Sequence, residues 1–147
     1  MMDTPQIIDI TNPYSGKGGE LYVLGQDGLP FQVKRVFWIT DVPNQWHVRG
    51  DHAHRTCHQI FIPVQGRFCT YVLGKNTEQD FWLHEDKHKA LWIPPMHWMS
   101  LNSFIVGTVC MVLCSEEYRE DSYIRDFDAF KKIIGTVQPG RKISNGE

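Results

Sequence analysis

The sequence predicts an all-β fold, a sandwich or barrel of antiparallel strands, with one short helix near the C-terminal end. Three observations predict it. Short runs rich in β-branched and aromatic residues recur along the chain, broken by Gly, Pro, Asn and Asp at intervals of about eight to twelve residues. Strand-like runs do not alternate with helical ones, which speaks against a doubly wound parallel sheet. Helical spacing of apolar residues occurs in one place only, after Asp126.

The runs follow in order. Leu21 to Leu24 ends at Gly25-Gln26-Asp27-Gly28, and Lys34 to Thr40 ends at Asp41-Val42-Pro43-Asn44. Gln59 to Val64 and Phe68 to Leu73 come next, the second closed by Gly74-Lys75-Asn76. Asp80 to His84 precedes Ala90 to Ile93, which Pro94-Pro95 stops. Phe104 to Ser115 is the longest apolar run. Phe127, Phe130, Ile133 and Ile134 then share one face of a helix that Asp126 caps. Lys131 and Lys132 suit its C-terminal end, and Gly135 stops it. The segment 137–147 reads as a loose tail.

The chain has 147 residues, enough for a single domain over 1–147. It is 41% hydrophobic, which supplies a core and argues against global disorder. Its formal net charge of -2 offers no broad positive field for duplex nucleic acid, though a few local cations still suffice for a small anion. No apolar run approaches the ~18 residues needed to span a bilayer. The N-terminal segment lacks a basic leader followed by an apolar stretch, so a cytoplasmic protein is expected. Cys57, Cys69, Cys110 and Cys114 form no C-x-x-C pair and sit in strand-like surroundings, as reduced buried thiols do.

Arg49-Gly50-Asp51-His52-Ala53-His54 carries the chemistry. Residues two apart on a strand share a face, so His52 and His54 project together with Ala53 opposite. Two imidazoles on an inner face suit either a metal site or proton transfer. The spacing resembles the first motif of the cupin superfamily: His-x-His, four residues, an acidic position and a glycine after six more. Here Gln59 takes the acidic position and Gly66 the glycine. The fold expected is therefore a cupin-type antiparallel β-barrel, or jelly roll. In the second cupin motif, Pro94-Pro95-Met96-His97-Trp98-Met99 puts Met99 near the ligand position. An amide and a thioether are poor ligands for a borderline or hard divalent ion, so no metal is expected. His52 and His54 are then proton-transfer groups.

A closer resemblance rests on several segments. These are Pro30-Phe31 through Lys34-Arg35-Val36, Arg49-Gly50 with His52-Ala53-His54, Gln59, Leu91-Trp92-Ile93-Pro94-Pro95 with Trp98, and Ser115-Glu116-Glu117-Tyr118 leading to Tyr123-Ile124-Arg125-Asp126-Phe127. Together they resemble the WxcM-like sugar 3,4-ketoisomerases, which act on thymidine-diphosphate-4-keto-6-deoxyglucose. The resemblance implies a homodimer, a dTDP-linked 4-keto-6-deoxy-hexose as substrate, and no cofactor. It also implies that the product serves an unusual deoxy or amino sugar of a cell-surface glycan such as an O-antigen. Two departures stand out. Gly16-Lys17-Gly18-Gly19 lacks the family's arginine, and Phe37 and Trp38 stand where the family usually has a tyrosine.

On this reading His52 moves the carbon-bound proton, and His54 polarises the oxygens or relays their proton. Arg49 and Arg35 are candidates for the diphosphate, because guanidinium binds phosphate oxygens in a bidentate way. Gln59 stabilises the enediolate. His97, Trp98 and Trp38 are candidate contacts to sugar or base. Tyr123 and Arg125 either close the site or dock the helix, and docking is the better reading. His47, His84 and His88 read as solvated. Two alternatives stand beside the isomerase: a nucleotide-sugar epimerase on the same scaffold, and a non-catalytic or metal-dependent cupin binding a sugar nucleotide.

Overall fold

The computed structural model describes residues 4–135 and the backbone of 142–144. Thirteen strands and one helix follow in order. They are β1 (Gln6–Asp9), β2 (Thr11–Gly16), β3 (Gly19–Val23), β4 (Arg35–Ile39), β5 (Arg49–His54), β6 (Gln59–Gln65) and β7 (Arg67–Gly74), continuing with β8 (Thr77–His84), β9 (Lys89–Ile93), β10 (Trp98–Asn102), β11 (Val109–Cys114), β12 (Tyr123–Ile124), α1 (Phe127–Ile134) and β13 (Lys142–Ser144).

One sheet runs β1-β9-β6-β11-β4 and the other β12-β5-β10-β7-β8-β13, with β2 and β3 as a separate hairpin. Every pairing is antiparallel except β13 on β8. The all-β fold is as expected, but it is a jelly-roll-like pair of facing sheets. No ladder among the described residues closes them into a barrel. The sheets are joined by a shared core instead: Phe61, Phe68, Leu83, Leu91, Leu101 and Val112 are fully buried between them. Each such side chain contributes about 1.5–3 kcal/mol by leaving water.

The two outer faces are covered differently. Helix α1 lies on the six-stranded sheet, where Phe130 and Ile134 meet Ala53, Leu73, Trp98 and Ile124. Asp126 caps it by accepting from the Ala129 amide at 2.8 Å, and Gly135 ends it at φ +78°. Phe127 and Ile133 stay partly exposed, so the buried stripe is narrower than the sequence spacing suggests. The other sheet buries Ile60, Ala90, Trp92 and Leu113 beneath Ile8, Ile10, Leu24, Leu29, Phe31 and Val33 of the N-terminal segment.

Three differences from the expected elements have local causes. Phe104 to Ser115 is not one strand: Ser103 and Gly107 have positive φ, and Thr108 Oγ1 donates to the Ile105 carbonyl at 2.7 Å, making a turn before β11. Strand β10 lies where no strand run is expected, directly after Pro94-Pro95-Met96-His97. Lys142–Ser144, within the expected loose tail, lie along the outer strand β8, whose open backbone groups accept a neighbour. The rest of that tail, 137–141 and 145–147, lies outside the described residues.

Candidate active site

Strand β5 carries the site, and a bulge sets its geometry. Leu101 pairs with Arg49, Ser100 with Gly50 and Met99 with His52, leaving Asp51 as an extra residue without a partner. Gly50 and Asp51 both have positive φ, +75° and +63°. Asp51 is held by Ser100 Oγ at 2.8 Å and Trp98 Nε1 at 3.2 Å. The extra residue shifts the alternation, so Arg49 and His52, three apart, come to the same cavity wall.

That cavity, about 370 Å³, lies between the sheets at one end of the core. Its apolar wall includes Phe37, Ile39, Phe61 and Met99, and its polar wall is formed by Arg49, His52, Gln59, Tyr123 and Arg125. His52 Nδ1 lies 3.0 Å from the Gly50 carbonyl. A carbonyl only accepts, so Nδ1 carries the proton and Nε2 keeps its lone pair. Burial holds the His52 pKa down to about 4.

His54 stands behind His52. It is 4% exposed, does not line the cavity, and has the Gln59 side chain as a polar neighbour. Its ring centroid is 4.9 Å from that of His52, nearly perpendicular to it. Burial, then the charges of His52, Arg35 and Arg125, push its pKa down to about 3. Both imidazoles are therefore neutral near pH 7.

Tyr123 and Arg125, expected to dock the helix, line the cavity instead. Strand β12 pairs Tyr123 with His54 and Ile124 with Ala53, so Tyr123 joins the histidine face while Ile124 goes to the helix. The Tyr123 ring is 4.8 Å from that of His52 and 4.3 Å from that of His54. The Arg125 guanidinium lies 4.3 Å over the Tyr123 ring and grips Glu120 at 2.7 and 2.9 Å. This pairing, with a hydrogen bond from Tyr118, holds the Glu120 carboxyl down to about 2.

The remaining expected residues divide. Gln59 lines the cavity, with Nε2 donating to Cys114 Sγ at 3.4 Å and Oε1 buried. Arg49 lines the cavity and is exposed. Arg35 does not line it. Its guanidinium donates to Cys114 Sγ at 3.5 Å, lies over Phe37 and Tyr118, and faces the Tyr123 hydroxyl. Arg35 thus supports the site from behind.

Trp98, His97 and Trp38 are not in this cavity. Trp98 lies opposite Ala53, on the helix side of the sheet, and packs on Phe127 and Phe130. His97 is buried beside a different cavity, of about 550 Å³, with Nδ1 near the Pro94 and Pro95 carbonyls. Trp38 alternates out of the core, 64% exposed, beside a smaller cleft that shares Ile39 and Arg49. Among the described residues no three His, Cys, Asp or Glu side chains converge as a metal-binding group, and all four cysteines are buried.

Residues 3–135 match the family model described as FdtA: WxcM-like, C-terminal. The chain belongs to this WxcM-like family. It is 30% identical over 133 residues to a curated protein of Aneurinibacillus thermoaerophilus, TDP-4-oxo-6-deoxy-alpha-D-glucose-3,4-oxoisomerase, covering 90% of this chain and 94% of that one. Among solved structures it resembles QdtA, a sugar 3,4-ketoisomerase of Thermoanaerobacterium thermosaccharolyticum in complex with TDP. The TM-score is 0.82 at 30% identity, over 91% of this chain and 96% of that one. A histidine-to-asparagine variant of QdtA in complex with TDP-4-keto-6-deoxyglucose matches with the same TM-score, identity and coverage.

Proposed function

We propose that the protein is an intramolecular oxidoreductase that converts a dTDP-4-keto-6-deoxy-hexose to its 3-keto isomer. The observation that carries this reading is His52: a neutral imidazole with Nδ1 tied to backbone and Nε2 free, on the wall of a cavity flanked by two guanidinium groups. The likeness to relatives named as 3,4-oxoisomerase and 3,4-ketoisomerase supports it.

The chemistry follows from the substrate class. The proton on carbon 3 is acidified by the ketone at carbon 4. His52 removes it, an enediol forms, and the imidazolium returns a proton to carbon 4. Such general base catalysis contributes about 10²- to 10⁴-fold. The Gln59 amide and nearby cationic groups on the cavity wall stabilise the enediolate. Arg49 and Arg125 hold the diphosphate. No net oxidation occurs, so the residues balance the reaction with protons alone.

The same reading includes a homodimer. Tyr14, Leu21, Tyr22 and Val23 of the β2–β3 hairpin are exposed, as is Trp38, and apolar groups of this kind are suited to cover by a second subunit. Sedimentation at micromolar concentration tests it, and a monomer overturns it. A nucleotide-activated substrate and four buried, unbridged cysteines support a cytoplasmic site of action. The product then serves an unusual deoxy or amino sugar of a cell-surface glycan such as an O-antigen.

Incubation with the 4-keto sugar nucleotide in deuterium oxide, followed by NMR, tests the activity. Deuterium at the ring carbons with a 3-keto product supports the isomerase. Exchange with inverted stereochemistry and no 3-keto product makes the protein an epimerase, and absence of exchange makes it a binding protein. One equivalent of tightly held metal in the active purified protein, with activity lost on its removal, overturns the proton-transfer reading.

A further inference from the structure

Moving a carbonyl between neighbouring carbons requires a second proton transfer, on the oxygens, and this deepens the isomerase reading on which it rests. The carrier must both give and take a proton. Of the polar wall, the Arg49 and Arg125 guanidinium groups only donate hydrogen bonds and the Gln59 amide does not exchange a proton usefully. His52 is occupied with the carbon-bound proton. His54 is not on the wall.

We propose that Tyr123 is the catalytic residue that carries the oxygen-side proton. Its ring lies on the cavity wall in contact with His52 and His54, and the Arg35 guanidinium faces its hydroxyl. As His52 takes the proton from carbon 3, the Tyr123 hydroxyl gives its proton to the ketone oxygen on carbon 4. This leaves a neutral enediol, an imidazolium and a phenolate, the last stabilised by Arg35. The phenolate then takes the proton from the hydroxyl on carbon 3 as the imidazolium protonates carbon 4. Both side chains end as they began, one carbonyl has been lost and one gained, and no electrons leave the substrate. Arg125, over the ring and fixed by Glu120, holds the phenol in place.

Tyr123→Phe keeps the ring and removes the proton carrier. The variant should hold dTDP within about threefold of the parent while kcat falls by about 10²-fold or more. A kcat within threefold of the parent overturns the assignment and leaves the isomerase reading standing; a parent protein that does not isomerise the substrate overturns both. A more acidic fluorinated tyrosine at position 123 provides the second measurement should Tyr123→Phe fail to fold. The groups facing that phenol are His52 and His54 from β5, Arg35 from β4, Arg125, and Tyr118. With those unchanged, the alkaline limb of the kcat profile moves to lower pH; an unmoved limb refutes the role.

Discussion

His54 makes the protein sensitive to acid in a way that can be isolated by one substitution. Its folded-state pKa is depressed from the ordinary 6.5 to about 3, chiefly by burial. Between those values the unfolded chain binds a proton that the folded chain refuses, so stability falls as pH drops through this window. At pH 5 the unfolded side chain is 1.5 units below its pKa of 6.5 and the folded one is still neutral. At ~1.4 kcal/mol per unit the loss relative to pH 7.5 is about 2 kcal/mol. His52, with its pKa held down to about 4, contributes a comparable loss over the same window, and that loss remains in the variant. Replacing His54 with Leu removes the titration and keeps an apolar side chain of similar size in the buried position. Urea unfolding of parent and His54→Leu at pH 7.5 and pH 5.0 gives a double difference, with other titrating groups cancelling. The parent should lose about 2 kcal/mol more than the variant between the two pH values. Equal losses would refute the placement of His54 as a neutral, water-excluded imidazole.

Other substitutions separate chemistry from architecture. His52→Asn should lower kcat by about 10²- to 10⁴-fold and leave dTDP affinity, measured calorimetrically, nearly unchanged. Arg49→Met should weaken dTDP binding by about 10- to 100-fold, the worth of a hydrogen bond to a charged group, with little effect on unfolding midpoints. Trp98→Ala should cost about 3–5 kcal/mol in urea unfolding, because that indole fills the space between sheet and helix. A ligand contact would instead raise KM at constant stability. At Gly66, φ is +79° and an added Cβ would come within 2.9 Å of Thr108 Cα. Gly66→Ala should therefore cost more than about 1 kcal/mol by the same measurement.

The parts of the site legible in the sequence are those set by distance along one strand. His52 and His54 share a face because alternation has period two, and Asp126 caps its helix because the cap bonds only three residues ahead. The parts that escaped are set by register between distant strands. Trp98 looks like a neighbour of the histidines until its pairing with Ala53 puts it on the helix side. Tyr123 reads as a dock for the helix until its pairing with His54 turns it into the cavity. Trp38 and Phe37 adjoin in sequence, and only the depth of β4 in the sheet decides which faces the core. Period-two alternation also argues against Arg49 beside His52, since three residues apart means opposite faces on a regular strand. Left-handed backbone at the non-glycine Asp51 is the feature that reverses this, and nothing short of the folded ladder reveals it.

That irregularity makes the placement of the Arg49 guanidinium a matter of parity. A ladder that paired Asp51 as well, with no residue lost, would be straight and would keep every reactive group in the chain. Arg49 would then swing to the outside of the sheet while the imidazoles stayed within. Deleting Asp51 outright would instead leave Arg49 two residues from His52 on a regular strand and keep both on one face.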